Sequence, residues 1–137
     1  MKLTLVKDAM KNKENVISIS PFAKVRDVLQ AMKRNNVKSV IVEKTHEHDA
    51  YGIVTYSNIL SALLSNDGDM DLLNVYDIAS KPLIQIGQEL DIKYAAKMMT
   101  NHKVTRLIVT HNGVLDGLLT MNDIMKVLLT QAEEDLH

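Results

Sequence analysis

The sequence predicts a mixed α/β (α+β) fold in which two pseudo-symmetric βαββα repeats pack sheet to sheet. Three observations lead there: an internal repeat across most of the chain, alternation between two-residue and helical hydrophobic spacing within each repeat, and turn-forming residues where the spacing changes. Laying residues 16–42 over 83–109 aligns Ile17 with Ile84, Ile19 with Ile86, Met32 with Met99 and Val37 with Val104. The same overlay pairs Ile41 with Ile108 and Val42 with Val109. The following turn differs by two residues, after which Gly52, Thr55, Ile59, Leu63 and Leu64 meet Gly117, Thr120, Ile124, Leu128 and Leu129.

Each repeat opens with a short alternating strand, Val16 to Ile19 in the first and Leu83 to Ile86 in the second. A helix follows. In the first repeat Ser20-Pro21 reads as a cap with proline in the first turn, and Val25, Val28, Leu29 and Met32 recur at helical spacing. Ile92, Ala95, Ala96 and Met99 take those places in the second. A strand then runs from Ser39 to Glu43 or Arg106 to Thr110, and a returning strand contains Gly52 to Thr55 or Gly117 to Thr120. Asn112-Gly113 marks the second hairpin, because both residues tolerate positive φ.

A second helix closes each repeat, Asn58 to Leu64 and Asp123 to about Glu133, with apolar stripes through Ile59, Leu63 and Leu64 or Ile124, Leu128 and Leu129. A helical lead-in from Leu5 to Met10 is echoed by Leu73 to Ala79, where Val6 and Asp8 reappear as Val75 and Asp77. Ser65-Asn66-Asp67-Gly68-Asp69 is a polar connector rich in turn formers, dividing the chain into repeats 1–66 and 67–137. A unit of that size alone would bury only about 60% of its unfolded surface, so the two repeats should form one module.

Composition narrows the function. Only 4% of residues are aromatic, so aliphatic side chains and eight methionines must fill the core. Sixteen basic against seventeen acidic residues give a net charge of -1, which argues against a nucleic-acid surface. Cysteine is absent, which removes disulfides, thiolate metal sites and cysteine nucleophiles. Lys7 interrupts any leader-like apolar run, and no apolar stretch approaches the ~18 residues of a membrane span. A cytoplasmic protein without membrane insertion is expected.

The chemistry concentrates in two related phrases, Gly-Ile-Val-Thr-Tyr-Ser-Asn-Ile from Gly52 and Gly-Leu-Leu-Thr-Met-Asn-Asp-Ile from Gly117. Glycine allows backbone to come close to a bound group, a threonine hydroxyl at the strand end can donate or accept, and a carboxylate three residues on lies in the first helical turn. Such a carboxylate can accept hydrogen bonds from both hydroxyls of a ribose. The plainer role for Thr120 and Asp123 is to cap a helix, which short polar residues do for about 1 kcal/mol.

With the repeat and these phrases together, the chain resembles a tandem CBS-domain pair, or Bateman module, of the stand-alone kind. The resemblance covers nearly the whole chain. It implies a regulatory sensor of an adenosine-containing ligand (AMP, ADP, ATP or S-adenosylmethionine) that signals by conformational change. It implies no catalytic residues, no required cofactor and no metal. The alternative is a non-sensing dimerisation or interaction module with vestigial clefts.

In the family each cleft lies between the repeats. Carried over, the stronger cleft uses Thr120, Asn122 and Asp123 with Val16, Val37, Lys38 and Ser39, and Lys38 reaches a phosphate. The weaker cleft uses Thr55, Ser57 and Asn58 with Leu83, Val104, Thr105 and Arg106. Asn58 stands where Asp123 supplies a carboxylate and accepts through one oxygen only, so asymmetric clefts are expected, with Arg106 compensating through phosphate. The second helices are expected to build a homodimer surface, and an enzyme, transporter or channel is the expected target regulated in trans.

His46 and His48, in a hairpin turn two residues longer than its counterpart, give neither the ligand count nor the geometry of a zinc site and read as solvated. His111 reads the same way. The acidic tail Gln131 to Asp135 opposes the helix dipole and is expected to fray. No Gly-rich phosphate loop, Gly-X-Ser-X-Gly or His-Glu-X-X-His occurs, so an enzyme is not expected.

Overall fold

The structure is a computed structural model that describes residues 3–65 and 67–135. Asn66, inside the expected connector, lies outside the described residues. The chain divides into two compact units, Val16–Leu83 and Met1–Asn15 with Ile84–His137, termed here the first-repeat and second-repeat units. The repeats of the sequence and the units of packing are therefore offset: each lead-in segment belongs to the unit of the other repeat.

The first-repeat unit contains β2 (Ser18–Ile19), α2 (Val25–Asn35), β3 (Ser39–Val42), β4 (Gly52–Thr55), α3 (Tyr56–Ser65) and α4 (Val75–Ile78). Its sheet has the order β2-β3-β4, with β2 parallel and β4 antiparallel to β3. The second-repeat unit contains α1 (Val6–Ala9), β1 (Lys11–Asn12), a 3-10 turn at Lys13–Asn15, β5 (Gln85–Ile86), α5 (Ile92–His102), β6 (Arg106–His111), β7 (Val114–Thr120) and α6 (Met121–Asp135). Its sheet has the order β1-β7-β6-β5, again with one parallel pair, β5 with β6. The mixed α/β order expected from the sequence is present in both units.

The two cores are built from equivalent positions. Val25, Val28, Met32, Val40, Val42, Val54, Ile59 and Val75 form one. Val6, Ile86, Ile92, Ala95, Met99, Leu107, Val109, Leu119 and Ile124 form the other. Val6 and Val75 show why the lead-ins matter: each is fully buried and completes a core to which its own sequence repeat does not belong. Backbone bonds fix them in matching ways, Val6 N–H donating to the Leu90 carbonyl and Val75 N–H to the Ala23 carbonyl, both at 2.7 Å. Ile41, Ile53, Ile108 and Leu118 are buried as well, so the central strands carry continuous apolar runs rather than strict alternation.

Several sequence expectations shift. Ser20-Pro21 does not start α2; the Ser20 hydroxyl accepts from Phe22 N–H in a turn, and Lys24 is the N-cap, its N–H bonded to the Asp27 carboxylate at 2.8 Å. A proline turn satisfies its groups locally and leaves the helix to begin at the first core valine. The stripe assigned to the second helices also divides. Ile59 and Ile124 are 3% and 4% exposed whereas Leu64 and Leu129 are 85% and 63% exposed, because five residues turn a helix by about 140° beyond a full revolution. The acidic end expected to fray is helical through Asp135.

Asn112 and Gly113 adopt φ of 51° and 79°, the hairpin turn expected of them. The longer hairpin of the first repeat is held by Asp49, which accepts from Thr45 N–H, Thr45 Oγ1 and Ala50 N–H and pairs with Lys81 at 2.6 Å. His46, His48 and His111 are exposed. Lys81, and after it these backbone donors, holds the Asp49 carboxyl well below the usual carboxylate range. A group with a depressed native pKa adds stability above its unfolded value and loses it on acidification. Asp49→Asn is therefore expected to melt below wild type at pH 7, with the gap closing as pH falls below about 4. Thermal melts at both pH values check this; a gap independent of pH refutes it.

Candidate functional site

In each unit a strand ends in threonine and a helix starts at the next residue. The second-repeat corner is made by Thr120 at the end of β7 and Asp123 in the first turn of α6. Thr120 N–H donates to Asp123 Oδ2 at 2.8 Å, and Asp123 N–H returns to Thr120 Oγ1 at 3.2 Å. This is the reciprocal capping expected of short polar residues. The remaining carboxylate oxygen is also engaged: Lys11 Nζ donates to Oδ1 at 2.8 Å. Asp123 is 5% exposed and Lys11 45%, so the anion is buried and its cation reaches it from the surface.

The first-repeat corner has the same plan with different chemistry. Asn58 Oδ1 accepts from Thr55 N–H at 2.8 Å and from Thr55 Oγ1 at 2.9 Å. Its Nδ2 donates to the Ile78 carbonyl at 3.0 Å and to Ser80 Oγ at 3.1 Å. Lys11 and Ser80 follow the two lead-in helices at equivalent positions, which gives a reason for Asn at one corner and Asp at the other. A carboxylate answers an ammonium; an amide answers a carbonyl and a hydroxyl.

The glycines of the two phrases serve the same contacts. A Cβ on Gly117 would run into the Lys11 carbonyl oxygen, and one on Gly52 would lie 3.1 Å from the Ser80 carbonyl oxygen. The close approach expected of these glycines is thus made by the lead-in backbone. Lys11 pairs with Leu118 and Asn12 with Gly117, while Ser80 forms an isolated bridge with Ile53. Sequence reasoning passed over Lys11 and Ser80. Extending the Val6/Val75 and Asp8/Asp77 echo a few residues would have set them side by side.

The residues of each expected cleft are divided between the units. Thr120, Asn122, Asp123, Val104, Thr105 and Arg106 belong to the second-repeat unit, and Val16, Val37, Lys38, Ser39, Thr55, Ser57, Asn58 and Leu83 to the first. Within each unit, the strand entry meets the threonine of its own repeat: Ser39 is opposite Thr55 and Arg106 opposite Thr120. Opposed residues project from the same sheet face, so Arg106 flanks Thr120. Met121 N–H caps this end of β6 through the Thr105 carbonyl at 2.8 Å. Arg106 Nη1 donates to Thr105 Oγ1, but its buried Nε has no hydrogen-bond partner among the described residues. Ser57, Asn122, Lys38 and Thr105 are exposed, Val16, Val37, Ser39 and Val104 partly buried, and Leu83 buried.

Asp123 lines an open groove of about 440 Å³ between α1 and α6, and Asn58 one of about 470 Å³ between α3 and α4. No described helix is long and apolar enough to cross a membrane. Among the described residues no cluster of three His, Cys, Asp or Glu side chains could hold a metal ion.

Comparison with known proteins agrees with this doubled plan. An uncharacterised protein of Methanopyrus kandleri is 28% identical over 128 residues, covering 90% of this chain and 65% of the relative. Inosine-5'-monophosphate dehydrogenase of Streptococcus pyogenes is 27% identical over 132 residues, which cover 87% of this chain but 24% of that enzyme. The chain spans 65%, 39% and 60% of three curated relatives from archaea, so those proteins carry further sequence of their own. Among solved structures, a hexameric CBS-CP12 protein from bloom-forming cyanobacteria superposes with a TM-score of 0.80 at 30% identity, covering 89% of this chain and 69% of that one. A putative acetoin utilization protein from Vibrio cholerae shares the fold over 100% of both chains, with a TM-score of 0.82 at 18% identity. The CBS domain model matches residues 6–65 and again 75–130, and on that double match the chain belongs to the CBS domain family as a tandem pair.

Proposed function

We propose that this CBS pair is a regulatory module that binds an adenosine-containing ligand, AMP, ADP, ATP or S-adenosylmethionine, and signals occupancy by a change of shape. One observation carries most of the weight: the buried Arg106 Nε, without a partner among the described residues, on the same sheet face as Thr120 and beside the helix turn that holds Asp123. A buried guanidinium nitrogen left unpaired is costly, and an anion such as phosphate would satisfy it. A carboxylate next to it suits the two hydroxyls of a ribose. Ligand occupancy acts on a target only through different affinity for two arrangements of the module. The expected targets are an enzyme, transporter or channel regulated in trans.

A second reading has its own support. Tyr56, Leu60 and Leu64 on α3, and Met121, Met125 and Leu129 on α6, are all more than 40% exposed and occupy equivalent positions one helical turn apart. Apolar stripes of this kind suit association between copies, and the similar cyanobacterial CBS-CP12 protein is hexameric. A homodimer formed through these stripes is compatible with sensing, and without sensing it is the interaction module.

Calorimetric titration with the four ligands, alongside sedimentation of the same samples, separates the two. Saturable binding of at least one ligand by the wild type is expected, weakened about tenfold or more in Arg106→Gln by loss of a charge-assisted contact. A wild type that binds none overturns the sensing reading, and an Arg106→Gln variant that binds equally well overturns the part given to Arg106. Association abolished by Leu60→Glu with Met125→Glu, in a protein blind to every ligand, favours the interaction module.

A further inference from the structure

The two corners differ in what they leave open. An amide offers two acceptor lone pairs and two donor protons, and all four are used at Asn58 by Thr55, Ile78 and Ser80. Nothing remains for a ligand. Asp123 spends one oxygen on Thr120 N–H and the other on Lys11, which leaves acceptor capacity on each. The Lys11 ammonium has three donors, of which one is bound to Asp123 and the others have no partner among the described residues.

Lys11 is also placed by backbone. It lies in β1, paired to β7, while Arg106 lies in β6 on the other side of β7. Cations therefore approach the Thr120–Asp123 turn from both neighbouring strands. Neutral hydroxyls of a ribose could share Asp123 but could not replace the charge of Lys11, because a buried carboxylate stripped of its cation is costly. Lys11 thus stays at the site and presents its spare donors to whatever projects beyond the ribose.

Building on the sensing function proposed above, we infer that Lys11 makes the Asp123 corner selective for an anionic ligand, a nucleoside phosphate rather than a nucleoside or a sulfonium, while Ser80 closes the Asn58 corner. A phosphate gains charge-assisted hydrogen bonds from Lys11, and a sulfonium is repelled by it. The module has one receptive corner per chain.

The test compares adenosine, AMP and S-adenosylmethionine by calorimetry on the wild type, Lys11→Gln and Lys11→Arg. The glutamine amide can still donate a hydrogen bond to Asp123 but removes the cation, so a thermal melt of each variant accompanies its titration, and Lys11→Arg, which keeps the charge, is the matched control. The wild type is expected to prefer AMP to adenosine by about tenfold or more, and Lys11→Gln to lose about tenfold of that preference with adenosine affinity little changed. Lys11→Arg keeps the preference. The double variant Lys11→Ser with Asp123→Asn copies the closed corner and is expected to fold and bind none of the three. An AMP-to-adenosine ratio unchanged in Lys11→Gln, or a double variant that is folded and binds AMP like wild type, overturns the role of Lys11 and leaves sensing intact. A wild type that binds none of the three overturns both.

Discussion

Gly117→Ala is expected to destabilise the protein by about 2–3 kcal/mol, whereas Gly52→Ala costs about 1 kcal/mol or less. The added methyl at 117 meets backbone: the Lys11 carbonyl oxygen lies inside contact distance and its carbon at 3.3 Å, with Met10 Sδ at 3.2 Å. A peptide group held in the β1–β7 ladder cannot step aside as a side chain can. At position 52 the nearest atom is the Ser80 carbonyl oxygen at 3.1 Å, which a small shift accommodates. Urea denaturation of both variants gives the two costs, and amide exchange at Lys11 and Asn12 reports whether the lead-in strand is released. Release would also carry Lys11 away from Asp123. Equal costs at the two glycines would show that the strand yields without leaving.

Asn58→Asp, which matches Asp123 in residue type, is expected to cost about 2–3 kcal/mol. A carboxylate has no proton for the Ile78 carbonyl and places a negative oxygen against it, while the Ser80 hydroxyl can turn to donate but brings no cation to the part-buried charge. Adding Ser80→Lys to Asn58→Asp copies the Lys11–Asp123 pair and should recover about 1 kcal/mol or more, since the two positions interact directly. Urea unfolding of the two single variants and the double variant completes the cycle. Additive effects would mean that Asn58 and Ser80 are independent and that the Asn/Asp difference has another origin.

Much of the fold was legible because burial imposes period on sequence. The core residues Val25, Val28 and Met32, with their counterparts Ile92, Ala95 and Met99, were readable from helical spacing, and the Asn-Gly turn from its backbone requirement. Helix starts were harder, since Ser20-Pro21 carries a helix signal that a local turn consumes. The face of each second helix was hardest. Leu64 and Ile59 are both apolar, and composition cannot tell a residue that enters the core from one about 140° away that faces outward.

The threonine, glycine and Asn/Asp positions of the candidate site stood out in the sequence, but their partners did not. Capping by Thr120 and Asp123 spans three residues and follows from local geometry. The Lys11–Asp123 contact joins residues 112 apart.

By itself the sequence determined the doubled βαββα order, the aliphatic cores and the difference between Asn58 and Asp123, because each is written in local spacing or residue chemistry. Only the tertiary structure decided what that difference answers to. It brings the lead-in of each repeat into the unit of the other, where Val6 and Val75 complete the cores and Lys11 and Ser80 meet Asp123 and Asn58. Such pairings depend on strand order across distant segments, and no local period records them.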